Sequence, residues 1–155
     1  MNTENSPISN PQSSLPNLQS LTPHAHIHLI AVAGVGMAAL AAMLKERGYR
    51  VTGSDQSVYP PMSDFLAQAG IGVMQGYQAE NLAQAPDLVI VGNVVSRTNP
   101  EVTALLETNI PYVSFPQALG HFFLEGKRSL VVAGTHGKTT STAMLAWVLE
   151  KAGRQ

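Results

Sequence analysis

Short β-branched runs that alternate with Ala- and Leu-rich stretches of helical spacing constrain this chain more than any other feature. Such alternation builds a parallel sheet covered on both faces, because a return to a neighbouring parallel strand needs a helical crossover. The first strand is expected over 27–33, and its helix over 37–47 is closed by Gly48 in the left-handed cap that glycine suits. A second strand spans 49–54. Ser63 then reads as the N-cap of a short helix through Ala69, ended by Gly70, and a third strand follows over 71–74. Residues 87–91 form the clearest buried strand. Asn99 and Pro100 open the next helix as N-cap and first-turn residue. Further strands are expected over 110–113 and 128–133, with a helix over 117–125 between them and a last helix over 138–152. The Leu40, Met43 and Leu44 stripe recurs at helical spacing and is expected to face the core.

Composition narrows the function. Charged residues make up 12% of the chain, about half the usual share of ~25%. The net charge of -1 leaves no basic excess to neutralise a phosphate backbone, so a general nucleic-acid binder is excluded. With no cysteine there is no disulfide framework, no Cys-ligated zinc and no thiol nucleophile. No apolar run approaches the ~18 residues needed to cross a bilayer, and a soluble protein is expected. Residues 1–23 are built mainly from Asn, Ser, Pro, Gln and Thr, with a single charge at Glu4. They match neither a secretory signal nor a transit peptide and are expected to be a disordered leader.

In open parallel sheets ligands bind at the carboxyl ends of strands, and two strand ends here carry chemistry. Gly34-Val35-Gly36-Met37-Ala38-Ala39 is a G-x-G-x-x-A turn between strand and helix. Glycines there let main-chain N–H groups approach a diphosphate, whose charge the helix N-terminus favours. Asp55 follows about 20 residues on, where an acid commonly meets a ribose hydroxyl. The same glycines would also serve a tight packed turn with no ligand. The second strand end is Ala133-Gly134-Thr135-His136-Gly137-Lys138-Thr139-Thr140. It has the G-K-T ending of a P-loop but Val132 where the general motif has its outer glycine. Gly134 and Gly137 free the backbone to wrap phosphate oxygens, Lys138 brings a cation to the β- and γ-phosphates, and Thr139 offers a hydroxyl to Mg2+.

Two anion-binding turns point to two nucleotides, and the AGTHGKTT stretch resembles, letter for letter, the phosphate loop of the Mur ligases. These are ATP-dependent enzymes of bacterial cell-wall assembly, and a loop without the outer glycine is their usual form. His26-Ile27-His28, Gly34-Val35-Gly36-Met37 and Gly53-Ser54-Asp55 resemble, in order, the branch that uses UDP-N-acetylmuramate. Val58-Tyr59-Pro60-Pro61-Met62-Ser63, Gln75-Gly76-Tyr77, and Gly92-Asn93 followed by Arg97, Asn99 and Pro100 are similar to its muropeptide-recycling members. Those join UDP-N-acetylmuramate to the tripeptide L-alanyl-γ-D-glutamyl-meso-diaminopimelate, whereas the alternative members add L-alanine alone. The resemblance runs over 26–153. It departs at Ala31-Val32-Ala33, where the alanine-adding relatives usually carry further glycines.

The resemblance implies a cytoplasmic ligase that uses ATP and Mg2+ to activate the muramate carboxylate as an acyl phosphate, which the peptide amine then attacks. It implies a UDP-sugar site at Gly34, Val35, Gly36 and Met37 with Ser54, Asp55 and Asn93 as neighbours. It also implies an ATP site at Gly134, Thr135, His136, Gly137, Lys138, Thr139 and Thr140. Lys138 would stabilise charge on the transferred phosphoryl group, an effect worth several kcal/mol, and Thr139 would contact Mg2+. The organisation expected is a leader over 1–23, a Rossmann-like UDP-sugar domain over 24–126, and over 127–155 the first strand–P-loop–helix unit of an ATPase domain. One such unit is too small to be a domain. The chain is therefore expected to be an N-terminal piece that binds the UDP-sugar without turnover, the tripeptide site lying outside it.

Two readings of other classes stay open. One is an NAD-binding oxidoreductase module with Asp55 on the adenosine ribose and the later G-K-T incidental; the other is a non-catalytic UDP-sugar sensor. Among single residues, His24, His26 and His28 alternate and would share one strand face, where they could imitate a metal site, although no acid stands near them in sequence. His136 either touches nucleotide or shapes its loop. His121, beside Phe122 and Phe123, reads as packing, and Arg97 as either a phosphate contact or a solvated side chain.

Overall fold

The computed structural model describes Leu18 and residues 21–154. The alternation in the sequence becomes a five-stranded, wholly parallel sheet in the order β3-β2-β1-β4-β5. Its strands are β1 (His26–Ile30), β2 (Arg50–Asp55), β3 (Gly72–Gln75), β4 (Leu88–Val91) and β5 (Tyr112–Ser114). Helices α1 (Val35–Glu46), α2 (Met62–Gln68), α3 (Pro100–Leu106) and α4 (Phe115–Leu119) accompany them, and α5 (Lys138–Lys151) comes last. By its contacts the chain divides into two compact units, Met1–Phe123 and Leu124–Gln155.

Period-two alternation assigns the two sheet faces within the first unit. Ile27 and Leu29 of β1, with Leu88 and Ile90 of β4, join Leu40, Ala41 and Leu44 of α1 and Leu66 of α2 in one core. Ile30, Val89 and Val91 point the other way and meet Val102 and Leu105 of α3 and Leu82. β1 and β4 are therefore buried on both sides, which is why β4 reads as a continuous apolar run. Met43 departs from the expected stripe and is 37% exposed, lying just off the buried α1 face.

Several boundaries differ from the sequence reading for local reasons. β1 ends at Ile30 because Ala31 takes a left-handed φ of 69°, and the N–H groups of Ala31 and Val32 both turn to the Ser54 carbonyl. The cap of α2 is Pro61, with Ser63 inside the helix. Asn99 caps α3 as expected, its side chain accepting from the Glu101 and Val102 N–H groups. The helix expected over 117–125 is instead α4 followed by a π-helical turn, Gly120–Leu124. Arg47 fastens that turn to the end of α1: its guanidinium donates to the Phe122 carbonyl and stacks 4.1 Å from the Phe123 ring centre.

The strand expected over 128–133 does not form. A strand needs a partner, and among the described residues none pairs with this one, which leaves Leu130 58% and Val131 86% exposed. The leader expected over 1–23 lies outside the described residues apart from Leu18 and 21–23. Leu18 is buried, and it and Leu21 belong to the α1-side core, so this part of the leader does contribute apolar packing.

Candidate functional site

The carboxyl ends of β1, β2 and β4 and the segments after them line a cleft of about 740 Å³, a size suited to a small organic ligand. The strand order reverses between β1 and β4 directly beneath it, the place where open α/β sheets bind ligands. Gly34, Val35, Gly36, Met37, Asp55 and Asn93 of the expected UDP-sugar residues come together here. Ser54 does not join them. It is fully buried, its carbonyl holds the N–H groups of Ala31 and Val32 at 2.8 and 3.0 Å, and its hydroxyl has no partner among the described residues.

The glycine turn has the properties of an anion cradle. Gly34 caps α1 with no side-chain hydrogen bond to the first-turn N–H groups, and that turn carries no acidic residue. These donors and the helix dipole therefore face the cleft without an internal acceptor from the cap. The fold itself does not demand glycine at either position. A Cβ at Gly34 would lie 3.9 Å from the nearest atom and one at Gly36 3.5 Å from the Phe115 ring, both ordinary contacts, and neither residue has a positive φ. Close packing inside the protein instead requires Gly53, whose Cβ would sit 2.6 Å from that of Val32, and Gly92, whose Cβ would sit 3.0 Å from the Ile30 carbonyl. Ala31 adopts the left-handed backbone that a glycine would take at lower cost.

Asp55 braces the cleft from below. Its carboxylate accepts from the Ala33 N–H at 2.9 Å and the Ser57 N–H at 3.2 Å, and its carbonyl accepts from Gly76 N at 2.8 Å. The loops after β1, β2 and β3 are thereby tied together. Tyr77, next in the chain, forms part of the cleft wall with Tyr59, Met62 and Phe115. Burial, reinforced by the Asp55 carboxylate, raises the Tyr77 hydroxyl above the usual phenol value, so it stays protonated at neutral pH. Tyr59, Met62 and Tyr77 lie within stretches that carry the family resemblance, Val58–Ser63 and Gln75–Tyr77, whereas Phe115 carries no signal in the sequence.

On the far face of the sheet the histidines of β1 enter a buried chain of hydrogen bonds rather than a metal site. Thr52 Oγ1 lies 2.8 Å from both His26 Nε2 and His28 Nδ1. His28 Nε2 meets Glu101 Oε1 at 2.8 Å, with both side chains fully buried. The amide of Asn81 donates to Glu101 Oε2 at 2.9 Å and to the Gly76 carbonyl at 3.0 Å. One arrangement of protons serves every link: His26 donates to Thr52, Thr52 to His28, and His28 to a Glu101 carboxylate. His24 stands off the strand, in a turn with φ 73°. Among the described residues no group of three or more His, Cys, Asp or Glu side chains could hold a metal ion. The acid absent from the sequence neighbourhood arrives from α3, 73 positions away. Its one signal in sequence is that Glu101 sits on the same helical stripe as Leu105.

Burial lowers the His26 pKa below its ordinary 6.5, helped by the charges of Arg50 and His28 and opposed by Asp87. The folded state therefore favours neutral His26, and its contribution to stability is complete above pH 6.5 and is lost as pH falls through the lowered value. Thermal unfolding followed from pH 7.5 to 5 is expected to show a declining midpoint, with a shallower decline in His26→Gln.

The second unit carries the other glycine turn. Gly137, at a left-handed φ of 73°, caps α5 without a side-chain hydrogen bond, leaving first-turn N–H groups for phosphate oxygens. Gly134, Thr135, His136, Thr139 and Thr140 are exposed along this loop. Lys138 Nζ reaches back to donate to the carbonyls of Gly134 at 2.8 Å and Thr135 at 3.3 Å, so its charge lies over the loop. These residues fit a triphosphate. The Thr139 hydroxyl has no acidic cluster beside it among the described residues and does not by itself make a Mg2+ site. His121 packs edge-on against Phe122 at 5.1 Å, and Arg97 is exposed and does not line the cleft.

Comparison with known proteins agrees with this geometry. Residues 26–126 match the family model described as Mur ligase family, catalytic domain. The chain is 51% identical over 127 residues to UDP-N-acetylmuramate--L-alanyl-gamma-D-glutamyl-meso-2,6-diaminoheptandioate ligase of Escherichia coli strain K12, covering 82% of this chain and 28% of that protein. Among solved structures, the UDP-N-acetylmuramate:L-alanyl-gamma-D-glutamyl-meso-diaminopimelate ligase from Neisseria meningitides matches with a TM-score of 0.80 and 47% identity, over 83% of this chain and 40% of that one. A UDP-N-acetylmuramate-alanine ligase from Thermotoga maritima matches with a TM-score of 0.73 and 32% identity, over 82% of this chain and 29% of that one. The chain thus spans about 28% of the length of the E. coli relative. A family match over residues 26–126, joined to the likeness in sequence and fold to ligases of this kind, makes this chain a member of the Mur ligase family.

Proposed function

We propose that the cleft at the carboxyl edge of the sheet binds the UDP portion of UDP-N-acetylmuramate, as the sugar-nucleotide site of an ATP-dependent amide ligase. The observation that carries this reading is the turn at Gly34 and Gly36, where the protein has room for side chains yet has none, beside an uncapped helix start. An approaching diphosphate accounts for both features. Val35 and Met37 supply further amides of the same turn, Asn93 offers a polar side chain from the loop after β4, and Asp55 keeps the turn in shape.

The acceptor joined to the muramate carboxylate is, on this reading, the amine of L-alanyl-γ-D-glutamyl-meso-diaminopimelate. The higher identity to relatives named for that tripeptide supports it, at 51% against 42% for an L-alanine ligase of Carboxydothermus hydrogenoformans. L-alanine alone is the alternative. When bound, ATP supplies the phosphoryl group that activates the carboxylate. The loop from Gly134 to Thr140 would hold its phosphates through main-chain N–H groups, Lys138 would offset charge on the transferred group, and Thr139 would offer its hydroxyl to Mg2+. A cytoplasmic setting follows from the same reading, and no helix among the described residues is long and apolar enough to cross a membrane. The organisation proposed is a sugar-nucleotide domain over 24–126 and a phosphate-loop segment over 127–155. Leu130, Val131, Met144 and Trp147 are exposed on that segment, and the same reading has the 155-residue chain bind the sugar nucleotide without turnover.

Calorimetry of the chain against UDP-N-acetylmuramate, UDP and NAD tests the reading. Saturable heat with the two uridine nucleotides and none with NAD is expected. Heat with NAD alone supports the oxidoreductase module instead, and ATP-dependent ligation by this chain contradicts its proposed inactivity.

A further inference from the structure

The hydrogen-bond chain behind the sheet ends at the back of the cleft wall. Asn81, in the 3-10 turn Ala79–Leu82, uses one amide hydrogen on Glu101 and the other on the carbonyl of Gly76, the residue just before Tyr77. Gly76 is held on its other side too, its N–H donating to the Asp55 carbonyl. Gly76 sits at a left-handed φ of 86°, so the turn that delivers Tyr77 to the cleft is set by what its two main-chain groups bind. Glu101 in turn cannot swing away: α3 is fixed by its Asn99 cap, and Glu101 is fully buried against His28.

We propose that His28, Glu101 and Asn81 are positioning residues for the ligand, acting at a distance by fixing the turn at Gly76 so that the Tyr77 ring forms a rigid wall of the nucleotide-sugar cleft. None of the three lines the cleft. A buried pair with no catalytic task is costly to keep and often replaceable by apolar packing without loss of stability; a carboxylate with one oxygen on β1 and the other on the loop that carries Tyr77 has a geometric use. The inference rests on the UDP-sugar reading of the cleft and adds to it the residues that set its shape.

The test is a double-substitution cycle on the 155-residue chain, with UDP-N-acetylmuramate affinity as readout. Asn81→Ala is the main variant because Asn81 lies nearer the surface than Glu101, and each variant is first checked for a cooperative melt. Asn81→Ala is expected to weaken binding about tenfold in the unsubstituted background, ~1.4 kcal/mol, and less than twofold in the Tyr77→Ala background. Residues acting through one another give such coupling, and independent ones do not. Faster amide exchange at Tyr77 in Asn81→Ala, with α1 amides unchanged, is the accompanying signature. Unchanged affinity in Asn81→Ala or in Tyr77→Ala, or losses that simply add, overturns the inference while leaving the cleft assignment standing. No binding of the sugar nucleotide by the unsubstituted chain overturns the cleft assignment, and this inference with it.

Discussion

Gly36→Ala is expected to weaken UDP-N-acetylmuramate binding at least tenfold, about 1.4 kcal/mol or more, while leaving the protein as stable as before or slightly more so. The two effects separate because they have different causes. Within the protein a methyl group at Gly36 meets only the edge of the Phe115 ring at ordinary contact distance. Alanine in the first turns of α1 also gains helix propensity, up to about 1 kcal/mol relative to glycine. On the cleft side that methyl occupies the space through which a diphosphate would reach the main-chain N–H groups of the turn. Binding calorimetry and thermal melts on the same samples measure both quantities. A variant that melts early but binds normally would mean that glycine here serves packing and that the anion sits elsewhere.

Gly53→Ala has the opposite signature. Its Cβ would lie 2.6 Å from Val32 Cβ and 2.7 and 2.8 Å from the Val32 methyl carbons. Val32 is fully buried and its N–H is bonded to the Ser54 carbonyl, so it has nowhere to retreat. Overpacking of this kind costs about 1–3 kcal/mol, a fall of roughly 2–12 °C in the thermal midpoint for a chain of this size. Because Val32 stands between Ala31 and the turn held by Asp55, displacement of it also disturbs the cleft. Pairing Gly53→Ala with Val32→Gly removes the colliding atoms, so the double variant is expected to be more stable than the sum of its single losses. Additive losses would show that the strain lies in β2 itself rather than in its contact with Val32.

These two glycines also mark what the sequence made legible and what it did not. The parallel sheet followed from apolar runs alternating with helical spacing, and the Asn99-Pro100 start of α3 was readable because its chemistry is local. The glycine turn between β1 and α1 was readable for the same reason. Gly53 appeared only as part of a resemblance, since its need comes from Val32, which the turn after β1 folds back against β2. Ser54 stood next to it in the same motif but alternation turns its side chain into the protein. Glu101 was invisible as a partner for His28 because the link joins β1 to α3 across the fold, and only tertiary placement reveals it. The strand expected over 128–133 failed in the reverse direction. Its residues have strand propensity, but propensity without a neighbouring strand does not make one.

The central claim is that the main-chain amides opening α1 receive the diphosphate of a uridine-linked sugar. Amide chemical shifts of the isotopically labelled chain, recorded during titration with UDP-N-acetylmuramate, test it most directly. The account predicts saturable shifts at Val35, Gly36 and Met37, with Tyr77 and Asn93 responding in parallel and residues 134–140 unchanged. Saturable binding that moves the amides of 134–140 or some other surface, and leaves those at the start of α1 where they were, would contradict it.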